Sequence, residues 1–95
     1  VSLSLRDAMA SELHSIRHEV DRLDATIATL LEKRLLLAME VGELKAELKL
    51  PIRDVKREEA VLDMVAKHCS IPQIAKKVRE IYKSIMEASR ILQKE

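Results

Sequence analysis

A single helical seam runs through the first half of the chain, and one arginine interrupts it. From Met9, alternating steps of four and three land on Leu13, Ile16, Val20, Leu23, Ile27, Leu30, Arg34, Leu37, Val41, Leu44 and Leu48. All are apolar except Arg34, and a 3.5-residue repeat held this long specifies a helix packed lengthwise against other helices. Arg34 therefore points where a core is expected. A cation in that place must be paired, reach water, or meet an anionic ligand, because an unpaired buried charge costs several kcal/mol.

Length turns the seam into a statement about assembly. Met9 to Leu48 as one helix spans roughly 60 Å at 1.5 Å per residue, whereas a compact domain of this size has a radius of gyration of about 12 Å. Two shorter helical segments cannot cover such a helix, so the sequence predicts an obligate homodimer in which a second copy buries the remaining seam. Light scattering that shows a stable monomer at micromolar concentration would exclude it.

Composition bounds the rest. The 95 residues read as one domain, 1–95, with 47% hydrophobic and 35% charged residues, one Gly and two Pro, the profile of an all-α protein. Seventeen Lys and Arg against sixteen Asp and Glu leave a net charge of +1, which gives no electrostatic footprint for nucleic acid. Tyr82 is the single aromatic residue, so no stacking platform for bases is available. Cys69 is the only cysteine, which rules out an internal disulfide and suits a reducing compartment; it reads as a small buried hydrophobe. The stretch Val1 to Ala10 carries Arg6 and Asp7 and has no run of signal-peptide length, and no 18-residue apolar stretch occurs, so the expectation is a soluble, cytoplasmic protein without membrane contact.

Three helices are expected. The first begins near Ser4 or Ser11 and ends before Pro51, because the residue before a proline is driven out of the helical region. Gly42 lies inside it at a cost of about 1 kcal/mol relative to Ala, which implies close approach of another helix or a ligand. Leu50 to Arg53 is a short connection, and Asp54 is placed to cap a second helix with the stripe Val55, Glu58, Leu62, Val65 and Cys69. Ser70 with Gln73 fits a capping box, Pro72 being tolerated in the first turn, and the third helix shows the stripe Ile74, Val78, Ile81, Ile85, Ser89 and Leu92.

Each stripe thus contains one polar intruder: Arg34, Glu58 and Ser89. Singly, these have plain explanations as a snorkelling Arg, a dipole-complementing Glu and a Ser bonded to the preceding turn. Together they suggest a polar cavity between helices, where bundles build ligand sites. Lys45, eleven residues after Arg34, projects from nearly the same face about 16 Å further along, and Gln93 follows Ser89 at i+4. Such a set suits a small polyanion with hydroxyl or ether oxygens. His14 and His18 at i, i+4 could share a metal, but with no evident third ligand they read as exposed histidines and no metal or cofactor is expected.

The pattern Arg17, Asp24, Arg34, Glu40, Val41, Gly42, Lys45, then Pro51, Arg53, Asp54, Arg57, Glu58, then Ser89 and Gln93 resembles the all-helical class of chorismate mutase. The likeness runs from about Leu13 to Gln93. It implies two three-helix chains entwined as a homodimer, and the rearrangement of chorismate to prephenate on the route to phenylalanine and tyrosine. That unimolecular reaction needs no nucleophile and no proton transfer, and the resemblance implies no cofactor. By the family pattern Arg17 and Arg34 grip the two substrate carboxylates, helped by Arg57 and Ser89, an arginine fork matching a carboxylate in two bonds. Lys45 and Gln93 donate to the ether oxygen, and Glu58 accepts the ring hydroxyl. The backbone near Asp54 assists, Asp54 itself serving as a cap.

Arg17 and Arg34 are seventeen residues apart, roughly 25 Å and about 100° out of phase on one straight helix, so they cannot share a small ligand within a chain. Antiparallel pairing of first helices near Ala25 to Thr29 would supply Arg17 from the partner, as the resemblance implies. Two rival readings stand beside this one. An isochorismate pyruvate-lyase shares the fold and carboxylate grip, though Glu58 disfavours it, and a non-catalytic helical dimerisation module explains the seam but not its polar residues.

Overall fold

The computed structural model describes residues 4–94 and consists of three helices: α1 (Leu5–Glu47), α2 (Val55–Lys67) and α3 (Pro72–Lys94). The N-terminal stretch read for a targeting signal falls partly outside these residues. Contacts divide the chain into two compact units, Val1–Lys33 and Arg34–Glu95, with α1 entering both.

In the first unit the helix starts at Ser4, which settles the choice left between Ser4 and Ser11. The Ser4 hydroxyl accepts from the Asp7 backbone N–H at 3.1 Å, satisfying one of the otherwise orphaned donors, while its carbonyl accepts the first intrahelical bond, from Ala8 at 3.0 Å. Thr26 and Thr29 turn their hydroxyls back onto the carbonyls of Arg22 and Ala25. Every residue from Ser4 to Leu30 is exposed, including the seam residues Leu13, Ile16, Val20, Leu23, Ile27 and Leu30 at 47–62%. This apolar row is left open to water in the first unit.

In the second unit the last part of α1 lies against α3, with Gly42 facing Gln93 and Arg34 bonded to Ser89. Its inward row is Arg34, Leu35, Ala38, Gly42 and Lys45, with Ala38 and Gly42 buried. The seam residues Leu37, Val41, Leu44 and Leu48 stay exposed. The helix therefore carries two stripes that overlap at Arg34, and the larger residues lie on the one this unit does not cover. Helix α1 stops in a left-handed turn: Leu50 N–H donates to the Lys45 carbonyl at 2.8 Å and Lys49 N–H to that of Ala46 at 3.2 Å, with Lys49 at φ 57°. This is the Schellman arrangement, usually built on Gly.

Asp54 caps α2 as the sequence implied, its carboxylate accepting from the Arg57 N–H at 3.0 Å. The core is small: Val61, Leu62 and Val65 of α2 against Met86 of α3, with Val78 and Tyr82 packed on it. On the outer side Arg79 of α3 donates to Asp63 at 2.6 Å and Glu59 at 3.0 Å, and the hydrogen bond to Asp63 holds its guanidinium pKa above the ordinary value.

Three local expectations are corrected. Helix α3 begins at Pro72 with Ile71 as its N-cap, the Ile71 carbonyl accepting from Ala75 at 2.9 Å, so the Ser70–Gln73 capping box does not set the helix start. A proline at the first helical position needs no donor of its own, which favours this start. On α3 the expected stripe holds at Val78, Ile85, Ser89 and Leu92, which are buried or half-buried, but Ile74 and Ile81 are exposed while Tyr82 and Met86 join the buried face. On α2, Val55 is exposed while Val61 is buried, because the helix turns its side at Val61 and Leu62 to α3. Cys69 is half-buried with its thiol directed at the Val65 carbonyl. No helix among the described residues is long and apolar enough to cross a membrane.

Candidate active site

A cavity of about 300 Å³ opens in the second unit between α1, the α1–α2 connection, α2 and α3. Seven of the eight residues singled out from the sequence line it: Arg34 and Lys45 from α1, Asp54, Arg57 and Glu58 around the start of α2, and Ser89 and Gln93 from α3. The eighth, Arg17, is exposed in the first unit and is not among the lining residues. His14 and His18 are likewise exposed there.

Arg34 is half-buried and finds no carboxylate within ion-pair distance among the described residues. Its guanidinium donates to the Ser89 hydroxyl at 3.2 Å and lies 5.6 Å from the centre of the Tyr82 ring. Ser89 in turn donates to the Ile85 carbonyl at 2.8 Å, which fixes its oxygen as an acceptor for Arg34. A hydroxyl and a ring face orient the cation without neutralising it. The charge remains available to an anion.

Lys45 sits where the helix ends and reaches two ways. Its ammonium donates to the carbonyl of Ile52 in the connection and to Gln93 Oε1, the latter at 3.0 Å. Accepting at Oε1 commits the Gln93 amide: its oxygen is occupied and its NH₂ is left as the donor. Gly42 explains how Gln93 comes so near. A Cβ at position 42 would stand 2.8 Å from Gln93 Cα, so the glycine admits the backbone of α3. Of the two roles considered for Gly42, approach of another helix is the one the structure shows.

Glu58 is the one carboxylate in the cavity with strong partners of its own. Arg90 Nη1 donates to both of its oxygens at 2.7 Å, and Arg53 Nε lies 3.6 Å from Oε1. Arg90 was missed by the sequence reading. It stands four residues after Met86 and three before Gln93, and that row was the available signal. Arg57 lines the cavity while its backbone is held by the Asp54 cap.

Four cationic side chains (Arg34, Lys45, Arg57 and Arg90) and two carboxylates (Asp54 and Glu58) line the cavity, a net of two positive charges. Hydrogen-bond donors, an acceptor and a net charge of this sign suit a compact dianion carrying a hydroxyl. Among the described residues no group of three or more His, Cys, Asp or Glu is placed to hold a metal.

Residues 16–94 match the family model described as chorismate mutase type II. The chain is 32% identical over 88 residues to a chorismate mutase of Methanocaldococcus jannaschii, an alignment covering 92% of this chain and 89% of that protein. It is 39% identical over 54 residues to a bifunctional chorismate mutase/prephenate dehydratase of Aquifex aeolicus, 57% of this chain and 15% of that much longer protein. A solved structure of chorismate mutase (form II) from Thermus thermophilus superposes with a TM-score of 0.81 at 36% identity, covering 87% of this chain and 94% of that one.

Proposed function

The chain belongs to the chorismate mutase type II family, and from that premise we propose that the cavity of the second unit catalyses the conversion of chorismate to prephenate by restraining the substrate dianion and stabilising charge on its ether oxygen. The observation that carries the mechanism is the Lys45–Gln93 pair, two donors side by side on one wall. In a Claisen rearrangement a carbon–oxygen bond breaks as a carbon–carbon bond forms, and negative charge grows on the departing oxygen. Donors already in place at that oxygen stabilise the transition state more than the ground state.

The remaining residues hold the reactive conformer. Arg34, steadied by Ser89 and Tyr82, takes one carboxylate, and Arg57 with Ser89 assists. Glu58 accepts the ring hydroxyl, aided by the backbone at Asp54. Bringing the two reacting carbons together in a closed conformer is an entropic contribution, and it requires grips at both ends of the molecule. The second carboxylate falls to Arg17 of the partner subunit.

That last assignment includes an assembly. The exposed rows Leu13 to Leu30 and Leu37 to Leu48 support an entwined homodimer in which residues 1–95 act as one catalytic domain and each site draws on both chains. A cytoplasmic location, read from the lone cysteine, belongs to the same proposal. Purified protein mixed with chorismate should consume its ultraviolet absorbance and form prephenate. Isochorismate in a parallel reaction separates the lyase alternative, and pyruvate release from it with no loss of chorismate would overturn the assignment.

A further inference from the structure

We propose that Arg90 is a positioning residue that holds the Glu58 carboxylate in place, and offsets its charge, so that an anion can accept the substrate's hydroxyl inside a site built for a dianion. The inference rests on the reading that Glu58 takes part in the reaction.

Placing a carboxylate in that cavity raises two difficulties. It repels the incoming dianion, and an unpaired glutamate side chain is free to swing. Arg90 resolves both. Its Nη1 donates to Oε1 and Oε2 at 2.7 Å each, short charge-assisted bonds, and the two side chains are only 25% and 19% exposed. Two ionised oxygens offer about four acceptor positions, of which one nitrogen takes two. Acceptor capacity remains for a hydroxyl. Arg53, 63% exposed and 3.6 Å away, is a weaker second cation.

A mere tether between α2 and α3 is a poorer account of this pair. The two helices are already joined by the Val61, Leu62, Val65 and Met86 core, and on their outer side by Arg79 with Asp63 and Glu59. Partly buried ion pairs contribute little net stability, since desolvation consumes most of the attraction. The location also counts: both partners line the cavity, and Arg90 completes the net of two positive charges that balances a dianion.

The test is a double-mutant cycle read in kcat, KM and melting temperature, using the dimeric enzyme and chorismate. Arg90→Gln should lower kcat about tenfold and also lower the melting temperature somewhat, because it leaves the mostly buried Glu58 with only Arg53 at 3.6 Å, whereas Arg90→Lys should recover most of the kcat loss. In a Glu58→Gln background the Arg90→Gln substitution should cost no further activity, because nothing is left to position. Multiplying losses would overturn the proposal by placing Arg90 on the substrate itself. So would an unchanged kcat in Arg90→Gln, or an activity loss that only follows unfolding. If Glu58→Gln alone leaves kcat intact, the assignment of Glu58 fails and Arg90 with it, an outcome distinct from one in which Glu58→Gln slows the enzyme and Arg90→Gln multiplies the loss.

Discussion

Gly42 and Gln93 stand so close that a methyl group on Gly42 would lie 2.8 Å from Gln93 Cα and 2.9 Å from its carbonyl oxygen. Backbone cannot give way as a flexible side-chain end can, so Gly42→Ala must push the last turn of α3 outward. The alanine gains about 1 kcal/mol of helix propensity, and overpacking takes back roughly 1–3 kcal/mol. Stability should therefore change modestly while Gln93 moves off its position beside Lys45. Displacements of about 1 Å in a positioned group cost on the order of 100-fold in rate, and we expect kcat of Gly42→Ala to fall roughly 10- to 100-fold. Steady-state kinetics beside a thermal melt checks this; a wild-type kcat would show that the close approach serves packing alone.

The orientation of Gln93 predicts a pH effect. Lys45 donates to Oε1 at 3.0 Å, which leaves the amide NH₂ as a donor that is neutral at all ordinary pH values. A glutamate in its place accepts from Lys45 equally well when ionised but can donate only when protonated. Gln93→Glu should lose activity near neutrality and recover part of it on acidification. Its optimum moves to lower pH, and a profile superimposable on that of the wild type would remove Gln93 from the reaction.

Much of this site was legible in the residues because its chemistry is unusual for their positions. Arg34 in an apolar row, Glu58 on the inner side of α2 and Ser89 on that of α3 are polar where packing wants apolar groups, and the cavity brings them together. The row that packs in the second unit was harder to see. Leu37, Val41, Leu44 and Leu48 dominate the pattern, yet the covered residues are Ala38 and Gly42, whose small size is the mark of close approach rather than of hydrophobicity. On α3, Ile74 and Ile81 drew the stripe toward β-branched bulk, whereas the core took Tyr82 and Met86, longer side chains that reach across a gap. Arg90 and Glu58 are 32 residues apart, and no local periodicity links them.

Arg34→Leu separates an enzyme from a scaffold. The substitution leaves no orphaned hydroxyl, because Ser89 still donates to the Ile85 carbonyl at 2.8 Å, and it places an apolar side chain on a half-buried row. Folded stability should be equal to or above that of the wild type. Loss of a carboxylate grip should nevertheless lower kcat/KM by at least about 100-fold. Full activity in a well-folded Arg34→Leu protein would mean that the cation serves the bundle and not the ligand.

Lys49 offers a gain in stability that leaves the site alone. It ends α1 at φ 57°, a conformation costing an L-residue about 1–2 kcal/mol that glycine adopts freely. Part of the relief is lost to the greater freedom of glycine in the unfolded chain. Lys49→Gly should raise stability by roughly 0.5–1 kcal/mol in a urea titration, with kcat unchanged. A lower midpoint would indicate that the lysine side chain contributes contacts that outweigh its backbone strain.

The assembly itself is open to a complementation test. If each site takes Arg34 from one chain and Arg17 from the other, a dimer of one Arg17→Ala chain and one Arg34→Ala chain holds one site with both arginines and one with neither. Each homodimer should be nearly inactive. After unfolding and refolding in an equal mixture, half of the dimers are mixed and each carries one sound site of two, so activity should return to about one quarter of the wild-type level. A single-chain site predicts no recovery, since every chain then lacks one of the two arginines for its own cavity. Titrating the ratio of the two variants gives a further check, because the recovered rate should pass through a maximum at equal amounts and fall symmetrically on either side.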